Sequence, residues 1–155
     1  MPYYPFKQSG GSGSNTVKLI ENLKIGISSS LAKSNPYDSN NYISVSNDVV
    51  TLKRNNSSYA LWLSCPFELQ TGKIYILAFE SVTNTDGFLY LDKAINGIPT
   101  TGDVQLTRIM QVAPPNGAKN GMVFKVSANG YYGFPFWSNN TNDIIITNPT
   151  ITEIN

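Results

Sequence analysis

The sequence predicts an all-β chain: an antiparallel β-sandwich or barrel, carrying an extended N-terminal arm. Three observations point there. Short apolar runs recur roughly every ten residues between clusters of Asn, Asp, Gly and Pro. No stretch places apolar residues at helical spacing. Ser, Thr and Asn are abundant while charged residues make up only 14% of the chain, a bias that suits strand faces and turns and disfavours long helices.

Residues 1–16 read as the arm and 17–155 as the sandwich. The arm begins Met-Pro-Tyr-Tyr-Pro-Phe, so Tyr3, Tyr4 and Phe6 lie around prolines that fix φ and deny the tip a helix. A Gly/Ser run from Ser9 to Ser14 follows and behaves as a flexible coil. Fully extended, such an arm spans roughly 50 Å, enough to reach a neighbouring subunit. Aromatics dominate interface hot spots, so Tyr3, Tyr4 and Phe6 are the expected partner-binding grip.

Within the sandwich, residues 17–20 and 24–27 read as an opening strand or pair, and 34–41 as a loop. Residues 42–46 and 49–53 flank Asn47-Asp48, a two-residue hairpin turn, with Ile43 and Val45 assigned to one face. The apolar run 59–64 has the character of a buried strand. Gln70-Thr-Gly72 turns the chain into 73–80, the strongest strand signal in the sequence. A turn at 84–87 is expected to return the chain through 88–91. Further strands are expected over 104–112, 121–126, 131–137, 143–147 and 150–154, giving nine or ten in all.

Three stretches carry a family resemblance. They are Phe67-Glu-Leu-Gln-Thr-Gly-Lys-Ile-Tyr-Ile-Leu-Ala-Phe79, Asn129-Gly-Tyr-Tyr-Gly-Phe-Pro-Phe-Trp137 and Asp143-Ile-Ile-Ile-Thr-Asn-Pro-Thr-Ile-Thr-Glu-Ile154. As a pattern the chain resembles the jelly-roll sandwiches of carbohydrate-binding modules and their relatives in bacteriophage virion proteins. With the arm, the resemblance implies a non-enzymatic virion structural protein of the head-decoration or auxiliary-capsid kind. It would be made in the host bacterial cytoplasm, held in many copies, and bound to the major capsid or another virion protein. The alternative the resemblance implies is a carbohydrate-binding module of a tail or fibre that adheres to host glycans.

Composition excludes much else. There is no histidine and a single cysteine, so Ser-His-Asp and Cys-His nucleophiles, His-based zinc sites and a disulfide framework are all absent. Arginine occurs only at Arg54 and Arg108, and net charge is +1, which leaves no basic stripe for nucleic acid. No apolar run is long enough for a membrane helix. The first residues show no basic segment leading into an apolar one, so no signal peptide is expected. Cys65 sits in an apolar run and reads as a buried thiol.

Among the ten carboxylates, Glu80 and Asp92 are the pair to test for glycosidase chemistry, each placed at a strand end. Asp38, Asp86 and Asp103 lie in loops but lack Asp-x-Asp-x-Asp spacing, and turn formation accounts for them. No cofactor or metal is expected. Over 131–137, alternation puts Tyr131, Gly133, Pro135 and Trp137 on one face and Tyr132, Phe134 and Phe136 on the other. The second set reads as core. Trp137 and Tyr131 are the candidate carbohydrate-binding residues, with Trp137 beside the polar loop 138–142 as the platform.

Overall fold

A computed structural model describes residues 15–21, 23–27, 32–33, 40–83, 87–94, 106–112 and 121–154. Tyr3, Tyr4 and Phe6 of the arm, and the loop acids Asp38, Asp86 and Asp103, lie outside the described residues. Among the described residues there is no helix, and every strand pairing is antiparallel.

Fourteen strand segments are described: β1 (Asn15–Lys18), β2 (Leu23–Ile27), β3 (Ala32–Lys33), β4 (Tyr42–Ser46), β5 (Val49–Lys53), β6 (Tyr59–Ser64) and β7 (Ile74–Ala78), then β8 (Ser81–Thr83), β9 (Gly87–Ala94), β10 (Leu106–Val112), β11 (Met122–Lys125), β12 (Tyr132–Ser138), β13 (Ile144–Thr147) and β14 (Thr150–Glu153). One layer is the six-stranded sheet β10-β9-β12-β6-β2-β3. The other is built from two four-stranded groups, β1-β14-β7-β11 and β4-β5-β13-β8.

These two groups share one register. Thr147 pairs with Ser81 and Thr150 with Ala78, and Glu80 N–H donates to Thr147 O at 2.8 Å between them. β7–β8 and β13–β14 therefore run as one ribbon, bent at Phe79-Glu80 on one strand and Asn148-Pro149 on the other. Asn148 absorbs the bend with φ of 49°, a conformation that Asn tolerates better than most residues.

The core follows the period-2 rule. Val50 and Leu52, Tyr75 and Leu77, Met122 and Phe124, and Ile144 and Ile146 are the buried alternates of one layer. Leu61 and Leu63, Leu89 and Leu91, and Tyr132, Phe134 and Phe136 face them from the other. Phe124 joins the layers, its ring centroid 6.0 Å from Tyr75, 5.9 Å from Phe134 and 6.4 Å from Tyr132. Such spacings suit the offset and tilted ring contacts that aromatic quadrupoles favour.

The Asn47-Asp48 turn forms as the sequence predicts, with φ of 49° and 63°, both positive as a type I′ hairpin requires. Gly72 ends the 70–72 turn at φ 84°, where a side chain would be strained. Several expectations need correction. β1 and β2 do not pair; β1 joins β14 and β2 joins β6. The chain does not return after 84–87 as a hairpin, because β8 pairs with β13 while β9 pairs with β12 and β10. Local turn chemistry cannot distinguish a return within one sheet from a crossover to the facing one. Val45 is 46% exposed whereas Ile43 packs against the core; β4 is the edge strand of its group, with a neighbour on one side only.

Candidate functional site

The outer face of the six-stranded sheet carries apolar and polar groups that the core does not use. On β6 the inward residues are Leu61 and Leu63, so Ala60, Trp62 and Ser64 turn outward. On β12 the outward set is Gly133, Pro135 and Trp137, as alternation predicts, and on β9 it is Tyr90 and Asp92. Trp62 and Ala60 form a small cluster against which Trp137 packs. Trp62 is buried beneath this contact, while Trp137 is half-buried.

Ladder register fixes how these residues line up. Gly133 is opposite Ser64 on one side and Asp92 on the other. Arg108 of β10 is in register with Asp92. Trp62 is opposite Pro135. A Cβ built on Gly133 would meet Trp62 Cε3 at 3.7 Å and Ser64 Oγ at 3.8 Å. These are ordinary packing distances, and Gly133 itself is buried between Trp62 and Ser64.

Three departures from regular sheet structure meet at this spot. Gly133 is a glycine inside a central strand, a placement that often marks close approach by a ligand or another backbone. Pro135 is a proline inside the same strand, where its missing N–H breaks a ladder bond. The β12–β9 pairing accordingly runs through Tyr132 and Gly133 and resumes only at Phe136. On the far side of β9, the β10 register shifts between Arg108 and Met110, a bulge at Ile109 opposite Asp92 and Leu91. Bulges concentrate beside functional sites, where they re-aim side chains.

The indole of Trp137 is held by a hydrogen bond from Nε1 to Ser57 O at 2.8 Å. Ser57 lies in the β5–β6 connection, whose neighbours are pinned by Asn56 Oδ1 accepting from Ser58 N–H at 2.8 Å and Asn41 Oδ1 accepting from Asn55 N–H at 3.0 Å. Tyr131 precedes β12 and is half-buried. It stands at the opposite end of the strand from Trp137, six residues and about 20 Å away.

The Glu80–Asp92 pair does not assemble. Glu80 is exposed at the bend of the other layer, its carboxylate accepting from Asn148 Nδ2 at 3.4 Å. Asp92 is inside β9 rather than at its end, and is 2% exposed. Carboxylates in separate layers cannot flank one glycosidic bond. Among the described residues no group of three or more potential metal ligands comes together. Cys65 is fully buried, and burial pushes its thiol well above the usual range.

Trp62 counts among the aromatics able to stack on a sugar ring, but residues 59–64 are apolar on both faces, which hides the alternation that would place it outward. The Ser64 that follows it at spacing two was the available signal for an outward face.

No protein family model matches the chain, and no curated protein matches it. Among solved structures it is similar to the Clostridium thermocellum N-terminal endo-1,4-β-D-xylanase 10B CBM22-1–GH10 modules complexed with xylohexaose, at 15% identity and TM-score 0.51. That match covers 90% of this chain and 27% of the xylanase chain. It is similar at 16% identity and TM-score 0.49 to the enzymatically active domain of bacteriophage CBA120 tailspike protein 4, over 87% of this chain and 20% of that one. The exo-β-1,3-galactanase of Phanerochaete chrysosporium with β-1,3-galactotriose matches at 10% identity and TM-score 0.42, over 92% of this chain and 29% of the other. The chain thus spans under a third of the length of each of these proteins. The first similarity shows the β-sandwich fold.

Proposed function

We propose that this chain is a non-catalytic carbohydrate-binding module that takes its glycan at Trp137, near the end of β12 on the outer side of the six-stranded sheet. The observation that carries this reading is the half-exposed Trp137 indole, held on the outer side of β12 by its bond to Ser57 O, in a sheet made irregular by Gly133, Pro135 and the Ile109 bulge. Each irregularity weakens the sheet locally, and local rules are broken in stable folds chiefly where function requires it. The face they mark is aromatic with a few polar groups, the make-up of a ligand site. A pyranose ring has an apolar C–H face that would stack on the half-exposed Trp137 ring, shedding water from both. Its hydroxyls would meet the polar loop 138–142 that follows Trp137, whose Asn139, Thr141 and Asn142 are exposed.

Two further points support the reading. The sandwich is shared with a xylanase chain that contains a carbohydrate-binding module. Glu80 and Asp92 stand in different layers, which argues for binding without hydrolysis. The head-decoration reading rests on Tyr3, Tyr4 and Phe6, which lie outside the described residues, whereas the sandwich itself is shared with a chain that contains a carbohydrate-binding module. Glycan binding therefore takes its place as the leading proposal.

A glycan array probed with the full chain tests it, with Trp137→Ala as the control and circular dichroism to verify the variant's fold. The expected result is retention of at least one glycan class by the wild type. The variant should bind at least tenfold more weakly, roughly as loss of an aromatic anchor implies. A wild-type chain that retains no glycan overturns the proposal.

A further inference from the structure

We infer that Arg54 is a positioning residue for Trp137, acting through the carbonyl oxygen of Ser57. The inference rests on the reading of Trp137 as the glycan platform. Arg54 follows β5, whose Val50 and Leu52 point into the core, and alternation puts position 54 on the same inward side. It is buried, at 8% exposed. Its Nη2 donates to Ser57 O at 2.8 Å and to Ser138 O at 3.1 Å. The side chain thereby ties the β5–β6 connection of one layer to the end of β12 in the other.

Trp137 donates to the same Ser57 oxygen, also at 2.8 Å. A carbonyl oxygen has two lone pairs, and here one guanidinium and one indole occupy them. An indole has a single N–H, so its hydrogen bond fixes how the ring is turned. Asn56 and Asn41 hold the neighbouring residues of the connection, whereas Arg54 holds the Ser57 carbonyl itself. The direction of that carbonyl, and with it the plane of the Trp137 ring, is therefore set by Arg54.

Stability alone does not account for a cation at this place. Burial pulls the Arg54 pKa down to about 10, against a smaller upward pull from Asp143. Asp143 is itself paired with Lys53 at 2.8 Å. Arg54 Nε and Nη1 are buried without hydrogen-bond partners. Taking such a charge out of water costs stability unless it is paired and fully hydrogen-bonded. What an apolar residue cannot do is donate to two carbonyls at once.

Hydrogen exchange at the two indole N–H groups of the full-length protein tests this, with Trp137→Phe assigning the resonances. In Arg54→Met, exchange at Trp137 should accelerate about tenfold, as loss of a buried hydrogen bond implies. Trp62, whose Nε1 has no partner, should not change. The affinity for the best array glycan should fall by a similar factor, and Arg54→Lys should recover part of both effects. Unchanged exchange at Trp137, or equal acceleration at both indoles, overturns the inference. If Arg54→Met does not fold, the same comparison is read on Arg54→Lys, where unchanged exchange overturns it. Exchange is measured on the free protein, so a chain that binds no glycan removes the proposed function and leaves this result standing.

Discussion

Trp62 and Pro135 are direct partners across the β6–β12 ladder, and β12 lies in the interior of its sheet, between β6 and β9. A proline there removes a donor from a position where most sheets have one. On the β9 side the pairing skips Phe134 and Pro135. Pro135→Val restores a donor and has strong strand propensity, so urea denaturation should show stability raised by about 1 kcal/mol. The array-selected glycan should bind several-fold more weakly, because the gap closes. Lower stability with unchanged affinity would remove Pro135 from the site.

Two buried glycines differ in the room that a side chain would find. A Cβ on Gly133 makes only ordinary contacts, the nearest at 3.7 Å. Gly133→Ala should keep the fold, with stability changed by no more than about 1 kcal/mol. A Cβ on Gly121 would meet Phe79 Cε1 at 2.7 Å, with Leu77 O and Leu89 Cδ2 both at 3.1 Å. Overpacking of this kind costs roughly 1–3 kcal/mol. Chemical denaturation of the two variants side by side checks the contrast, and equal losses would refute it.

Much of the fold is legible in the sequence because alternation is a local property. Residues 132–138 sort into core and outward faces as their spacing dictates, and Asn47-Asp48 forms the turn that its composition requires. Sheet membership is not local. Nothing near residues 84–87 says that the next strand joins the other layer, because that choice is made by the register of β9 with β12 and β10. The site was half legible for the same reason. Trp137 could be placed outward from its own strand, but its contact with Trp62, its bond to Ser57 and its link to Arg54 join residues up to 84 positions apart.

Cys65 should be chemically silent in the folded protein. It is fully buried in the core, and burial raises its thiol pKa, so little thiolate is present and no reagent can reach it. A thiol reagent at pH 8 should leave the native chain unlabelled and react once guanidinium unfolds it. Rapid labelling of the native chain would mean that the layers open locally around β6.

The β4–β5 turn sets backbone strain against a surface ion pair, and magnitudes decide which prevails. Asp48 holds φ of 63°, a conformation that glycine adopts freely and other residues adopt at a cost of about 1 kcal/mol, somewhat less for Asp. Its carboxylate pairs with Lys18 at 2.7 Å, but the two side chains are 40% and 56% exposed. An exposed pair of this kind contributes at most a few tenths of a kcal/mol after solvent screening, roughly the low end of measured pairs. The hydrogen bond from Asn148 N–H to Asp48 O is a backbone contact and survives any substitution. Asp48→Gly should therefore stabilise the chain, by roughly 0.5 kcal/mol at low salt. Near 1 M salt the wild type loses what the ion pair contributes while the variant has nothing to lose, so the gap between them should widen. Urea denaturation at the two salt concentrations reads both quantities. A variant less stable than wild type at low salt and equal to it at high salt would mean that the ion pair, not the turn, governs this hairpin.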